Sequence, residues 1–157
     1  MESLRVNGIT ILGKATAKSA ALAKDVRLFE QIGVSVLEKI VKPSLADEFY
    51  TDEKCYILES SNSSDDEALS IARARVLPGV TTAWHRLHRQ VERYYILSGV
   101  GCVEIGDLPP ENVEAGDVVI IPPMCKQRIT NTSGSDLVFL AMCTPRFEVK
   151  DYEDLEK

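Results

Sequence analysis

The chain has 157 residues, 45% of them hydrophobic and 27% charged, with a formal net charge of -6 at pH 7. That length accommodates one domain with a real core, and the balance of apolar and charged residues is that of a globular chain rather than a disordered one. A pI of about 5.0 without any basic cluster argues against nucleic acid as a partner, and no apolar run reaches the length that crosses a bilayer.

The opening "MESLRVNGITILGK" lacks the charged start, long apolar centre and small-residue cleavage site of a secretory signal, so a cytoplasmic protein is expected. From Ala15 to Leu45 the chain is rich in helix formers. Val26, Phe29, Ile32, Val36, Leu37 and Ile40 recur there at helical spacing until Pro43 closes the pattern. Residues 1–46 are accordingly read as a helical extension of one or two amphipathic helices packed on a larger body, with Gly33 weakening the middle.

Residues 47–147 have the texture of strands. "KCYILES", "ALSIARARVLPG", "TTAWHRLH", "ERYYILSG", "GCVEIG", "DVVIIPP", "KQRITN" and "LVFLAMC" are short, apolar or alternating, and separated by Gly, Pro, Asn, Asp or Ser. Many short strands without intervening helices indicate an all-β antiparallel sandwich or barrel. Residues 148–157, "EVKDYEDLEK", read as a solvated acidic tail with one helical turn at most. The four cysteines are scattered and form no CxxC pair, which points to reduced, mostly buried thiols rather than zinc-ribbon ligands or a disulfide framework.

Both histidines lie in "TTAWHRLHRQVERYYILSGVG", with Glu92 close behind. Gly79, His85, Glu92 and Gly99 fall in register with a G-x5-H-x-H-x(3,4)-E-x6-G pattern, and Gly116, Pro122 and Asn131 with G-x5-P-x-G-x2-H-x3-N. Over residues 70–145 the chain thus resembles the cupin superfamily, in particular its small mannose-6-phosphate-isomerase-like members. The resemblance implies a double-stranded β-helix (jelly-roll) barrel and, in the family, three histidines and a glutamate around a divalent metal. Three positions depart from it: Leu87 replaces the second histidine, Gln127 the third, and Met124 a glycine.

Strand alternation puts His85 and Leu87 on one face and Trp84, Arg86 and His88 on the other, so His88 faces away unless a bulge re-aims it. The in-register constellation is His85, Glu92 and Gln127. One imidazole, one carboxylate and one amide oxygen can hold Fe, Mn or Zn weakly; without a metal the same three form a hydrogen-bonded polar cluster. Both forms stay open at this point. Cys125 shares parity with Gln127 at the start of its strand.

Tyr94 shares parity with Glu92, and His85, Glu92 and Tyr94 are the candidate catalytic residues. Arg73 and Arg75 share one strand face. Turned inward they make a clamp for a carboxylate or phosphate; turned outward they pair with surface acids. With Gln127 and Met142 they are the candidate ligand-binding residues, Met142 and Phe139 being read as lining the barrel. Tyr95 and Leu97 point outward and, with the helical extension, offer a homodimer surface.

Three functions fit these readings. The first is an enzyme that binds a small polar molecule, a sugar or sugar phosphate, and isomerises it with Glu92 or His85 as general base. The second is a non-catalytic small-molecule-binding or regulatory barrel. The third is a metal-dependent oxygenase, which one in-register histidine supports least.

Overall fold

The computed structural model describes Ser3–Val6, Ile9–Leu12 and residues 36–157. Residues 1–36 and 37–157 are two separate compact units. In the first, β1 (Ser3–Val6) and β2 (Ile9–Leu12) pair antiparallel, Ser3 opposite Leu12 and Val6 opposite Ile9. The helical extension expected over residues 1–46 thus begins with a strand pair. The expected helices fall mainly on residues 13–35, outside the described residues. Their described end, residues 36–44, runs without helix, and Leu37 and Ile40 are 74% and 85% exposed.

The second unit is a two-sheet barrel. After a 3-10 turn at Leu45–Asp47 come β3 (Phe49–Tyr50), β4 (Tyr56–Ser61), β5 (Ser70–Val76), β6 (His85–Leu87) and β7 (Val91–Ser98). They are followed by β8 (Val100–Ile105), β9 (Glu111–Glu114), β10 (Val118–Ile121), β11 (Gln127–Asn131) and β12 (Leu137–Thr144). A second 3-10 turn, Val149–Asp151, leads into β13 (Tyr152–Asp154). One sheet runs β10-β7-β12-β5-β4-β3 and the other β13-β6-β11-β8-β9, all pairs antiparallel. This is the expected jelly roll.

Alternation along each strand builds the core. Val76, Ile96, Val103, Val113, Val119, Ile121, Ile129 and Leu137 are buried together between the sheets. Each such side chain contributes about 1.5–3 kcal/mol of apolar burial. The motif framework holds the corners. Gly99 has φ +85°, and a Cβ there would stand 2.8 Å from the Asp136 carbonyl oxygen and Leu137 Cα, so only glycine fits. Asn131 is fully buried and staples two loops, its Nδ2 donating to the Val76 and Ser135 carbonyls at 2.8 Å each. Met124 keeps the left-handed φ of 64° at the motif's glycine position.

The C-terminal segment is no solvated tail. β13 pairs with β6, Tyr152 opposite Leu87 and Asp154 opposite His85. Buried Gln90 donates to Asp151 (2.8 Å), and the His88 amide donates to the Asp151 carbonyl (2.8 Å). The charged composition of this stretch hides a strand, because its residues owe the conformation to the edge they complete rather than to intrinsic preference. The expected helical turn is present, just ahead of it.

Candidate functional site

The barrel is filled at one end and hollow at the other. The cavity measures about 230 Å³, below the roughly 300–1,000 Å³ of drug-sized sites, and so suits a small molecule. Small side chains create the space: Ala72 and Ala74 on β5 and Ala141 on β12 face it. His85, Glu92 and Tyr94 line it, as their shared parity predicts, while Leu87 forms an apolar wall. Gln127 lies directly across from His85, fully buried.

Hydrogen bonding fixes these groups. His85 Nδ1 donates to the Ala83 carbonyl oxygen at 2.9 Å, since a carbonyl oxygen only accepts. His85 as a whole is only 3% exposed, and no described residue hydrogen-bonds its Nε2. Tyr152 stacks on that ring, centroids 5.4 Å apart. Gln127 Nε2 donates to Glu92 Oε2 at 2.6 Å, and the Cys143 thiol reaches Glu92 Oε1 at 3.9 Å. Gln127 Oε1 is buried without a partner among the described residues.

Burial pushes the Glu92 carboxyl up to about 7, against the pull of neighbouring His85 and the Gln127 hydrogen bond, with Glu53 pushing the same way as burial. Burial likewise raises the Tyr94 phenol well above its ordinary range and Cys55 to about 12. Glu92 is therefore shared between its acid and base forms near neutrality, the condition a general acid–base group needs.

Other candidate residues stand elsewhere. Arg73 and Arg75 point out of the barrel: Arg73 Nη1 bonds Glu48 Oε1 at 2.7 Å, and Arg75 clasps Glu48 and reaches Asp136 at 3.1 Å. They make no inward clamp, because alternation that turns Ala72 and Ala74 inward must turn the arginines outward. Met142 does not line the cavity either; Phe139, Ala141 and Cys143 do. Pairing Phe139 with Met142 breaks the two-residue period of a strand. His88 lies on the outer face, its Nε2 2.7 Å from Glu153 Oε2. Trp84, Tyr95 and Leu97 also face away from the cavity, and Cys125 lies outside it, as Arg128 stacks on Trp84 at 4.5 Å. Sequence reasoning missed Glu53 and Cys55, which come from the turn after β3, and Tyr152 from β13.

The donor set does not fit the metal that the barrel type implies. Leu87 fills one ligand position and Gln127 another. Both Glu92 oxygens are engaged, by Gln127 and by Cys143. Among the described residues no three His, Cys, Asp or Glu side chains group at metal-binding spacing. What the arrangement can do is pass a proton between Glu92 or His85 Nε2 and a molecule in the cavity.

The Cupin domain model matches residues 72–143. The chain is 33% identical over 87 residues to an oxalate-binding protein of Thermotoga maritima, covering 54% of this chain and 69% of that protein. The chain belongs to the cupin superfamily. A second relative, an uncharacterized protein of Methanocaldococcus jannaschii, is 34% identical over 87 residues, 55% of this chain and 69% of its own length. Among solved structures, the nucleoside dehydratase Pac13 of Streptomyces, determined with uridine, superposes with a TM-score of 0.61 at 16% identity. The match covers 74% of this chain and 92% of that one and establishes the shared barrel. Among its described residues no helix is long and apolar enough to cross a membrane.

Proposed function

We propose that this cupin is an acid–base enzyme that binds a small polar molecule in the barrel and moves a proton on it without a metal. The observation that carries the reading is the buried Glu92, poised near neutrality beside His85 on a cavity wall. Glu92 as carboxylate takes a proton from the hydroxyl-bearing carbon next to a carbonyl and, as carboxylic acid, returns it to the former carbonyl carbon, while His85 Nε2 relays the hydroxyl proton to the carbonyl oxygen, the overall change being an isomerisation. Gln127 and Cys143 orient the carboxyl, and Tyr152 with the Ala83 carbonyl orients the imidazole.

The phosphate part of a sugar-phosphate substrate loses its support, since Arg73 and Arg75 are committed to Glu48 outside the barrel. The oxalate named for the Thermotoga relative is not carried over either: among the described residues no arginine or lysine lines this cavity. A single imidazole leaves an iron oxygenase without the usual two histidines.

Deuterium incorporation at the α carbon of small hydroxy- and amino-ketones in D2O tests the reading. The protein accelerates exchange, and Glu92→Gln removes at least about 100-fold of that acceleration. Binding without exchange would favour the second reading, a non-catalytic small-molecule module, which the loss of two ligand histidines from an intact barrel supports. Stoichiometric iron, manganese or zinc in the purified protein, lost in His85→Ala and Gln127→Ala, would overturn the metal-free chemistry.

A further inference from the structure

The inner face of the six-stranded sheet presents the cavity with three rows of side chains. Glu92 on β7, Cys143 on β12 and Ser70 on β5 stand side by side in the first row, and all three are buried. Two residues along, roughly 7 Å away, Tyr94, Ala141 and Ala72 form the second, with Glu59 of β4 at its exposed edge. The third row holds Phe139, Ala74 and Ile57. Every one of these side chains lines the cavity.

The rows divide this wall by chemistry. The first carries the acid–base carboxyl. Inside the barrel the other two offer an occupant a single polar group, the Tyr94 hydroxyl. On the facing sheet Ile129 is apolar, and the Thr82 hydroxyl beside it already accepts from the Ile129 amide at 3.0 Å. A hydroxyl of the occupant pressed onto the second and third rows therefore loses its water without gaining a partner, which weakens binding by about tenfold. A methylene in the same place strengthens it by about threefold. The space for such a group exists because Ala72 and Ala141, directly opposite one another on adjacent strands, stop at Cβ.

We propose that the cavity takes an uncharged α-hydroxy ketone with an aliphatic tail, its head at the Glu92 row and its tail over Ala141 and Ala72 toward Phe139, and that these two alanines set the preference for that tail. The position of the head rests on the preceding reading of Glu92; the position of the tail rests on the order of the rows.

The test compares four ketones that share the head group, with binding to the full chain followed by titration calorimetry and exchange followed in D2O. Hydroxyacetone carries only a methyl group, 1-hydroxybutan-2-one and 1-hydroxyhexan-2-one lengthen it, and erythrulose has the four-carbon skeleton with two more hydroxyls. Affinity is expected to rise about threefold per added carbon, and 1-hydroxybutan-2-one to bind at least tenfold more tightly than erythrulose. Ala72→Ser, which changes little in volume, is expected to reduce that preference over erythrulose at least threefold. Ala141→Val is expected to reduce the advantage of 1-hydroxyhexan-2-one over hydroxyacetone at least tenfold. Erythrulose bound as tightly as 1-hydroxybutan-2-one, affinity that does not rise with the tail, preferences unchanged in both variants, or no binding of 1-hydroxyhexan-2-one at millimolar concentration overturns the proposal. Graded affinities without exchange would sink the enzyme and spare the tail site; exchange without gradation would do the reverse.

Discussion

Glu92 and Glu153 are the same side chain on the two sides of the barrel wall. Inside, Glu92 has lost its water and gained an amide and a thiol, and burial carries its pKa up to about 7. Outside, Glu153 accepts from Arg86 (2.7 and 2.9 Å) and His88, and those hydrogen bonds carry its pKa down to about 2. Arg75 and Glu48 repeat the outer pattern on the other sheet. The outer face neutralises its charges in pairs; the inner face leaves an acid and a base facing an empty volume. A fold that meant only to be stable would not arrange its interior so, because a buried acid lowers stability unless its charge is compensated.

The largest effect is expected from breaking the inner side. Glu92→Gln removes exchange activity by about 100-fold or more and at the same time stabilises the protein at pH 8. Folding raises this carboxyl from 4.5 to about 7, so the folded state holds the proton more tightly. Its stabilising contribution is full below pH 4.5 and is lost as pH rises through 7, a swing on the order of 3 kcal/mol that Glu92→Gln flattens. Urea unfolding at pH 5 and pH 8 measures it.

Converting the inner side to a metal site comes next. Leu87→His with Gln127→His gives three histidines and Glu92, and saturating Mn2+ or Zn2+ raises its unfolding free energy by about 2.7 kcal/mol at a hundredfold excess over Kd. The unaltered protein shows no such rise.

A smaller effect follows on the outer side. Arg75→Ala costs about 1–2 kcal/mol, because it strips partners from the part-buried Glu48, yet leaves exchange activity within twofold. A change in activity beyond that would place the arginine in the site after all.

Glu153→Gln has the least effect near neutrality. Its depressed pKa contributes stability above pH 4.5 that is lost as pH falls through about 2, the opposite sign to Glu92. The variant is therefore slightly less stable at pH 8, and its difference from the parent closes as pH falls toward 2. Light scattering addresses the expected homodimer: Tyr95, Leu97, Val118 and Ile120 give the six-stranded sheet an exposed apolar outer face.

The barrel was legible because its requirements are local. Glycines at 79, 99 and 116 all take positive φ, and the spacing between them sets the strands. Alternation alone put His85, Glu92, Tyr94 and Gln127 on one face and His88 on the other. Applied consistently it would have turned Arg73, Arg75 and Met142 outward as well. What alternation cannot reach is a residue supplied by a turn, such as Glu53, or a strand such as β13 whose sequence looks like a charged end. At the start of the chain, "LRVNGITIL" carries an Asn-Gly pair between alternating apolar residues, the usual hairpin signal, and β1 and β2 flank it.

β13 also sets the timing of the site. During synthesis, a chain that has emerged only through β12 already carries His85, Glu92 and Gln127, but neither Tyr152 against the imidazole nor the strand that edges β6. Domains fold as units as they leave the ribosome. This one cannot finish the wall of its cavity until residue 154 is free of the exit tunnel, so a stalled or clipped nascent chain would leave that wall unclosed. The closed cavity would then arrive as a late, all-at-once event of biosynthesis.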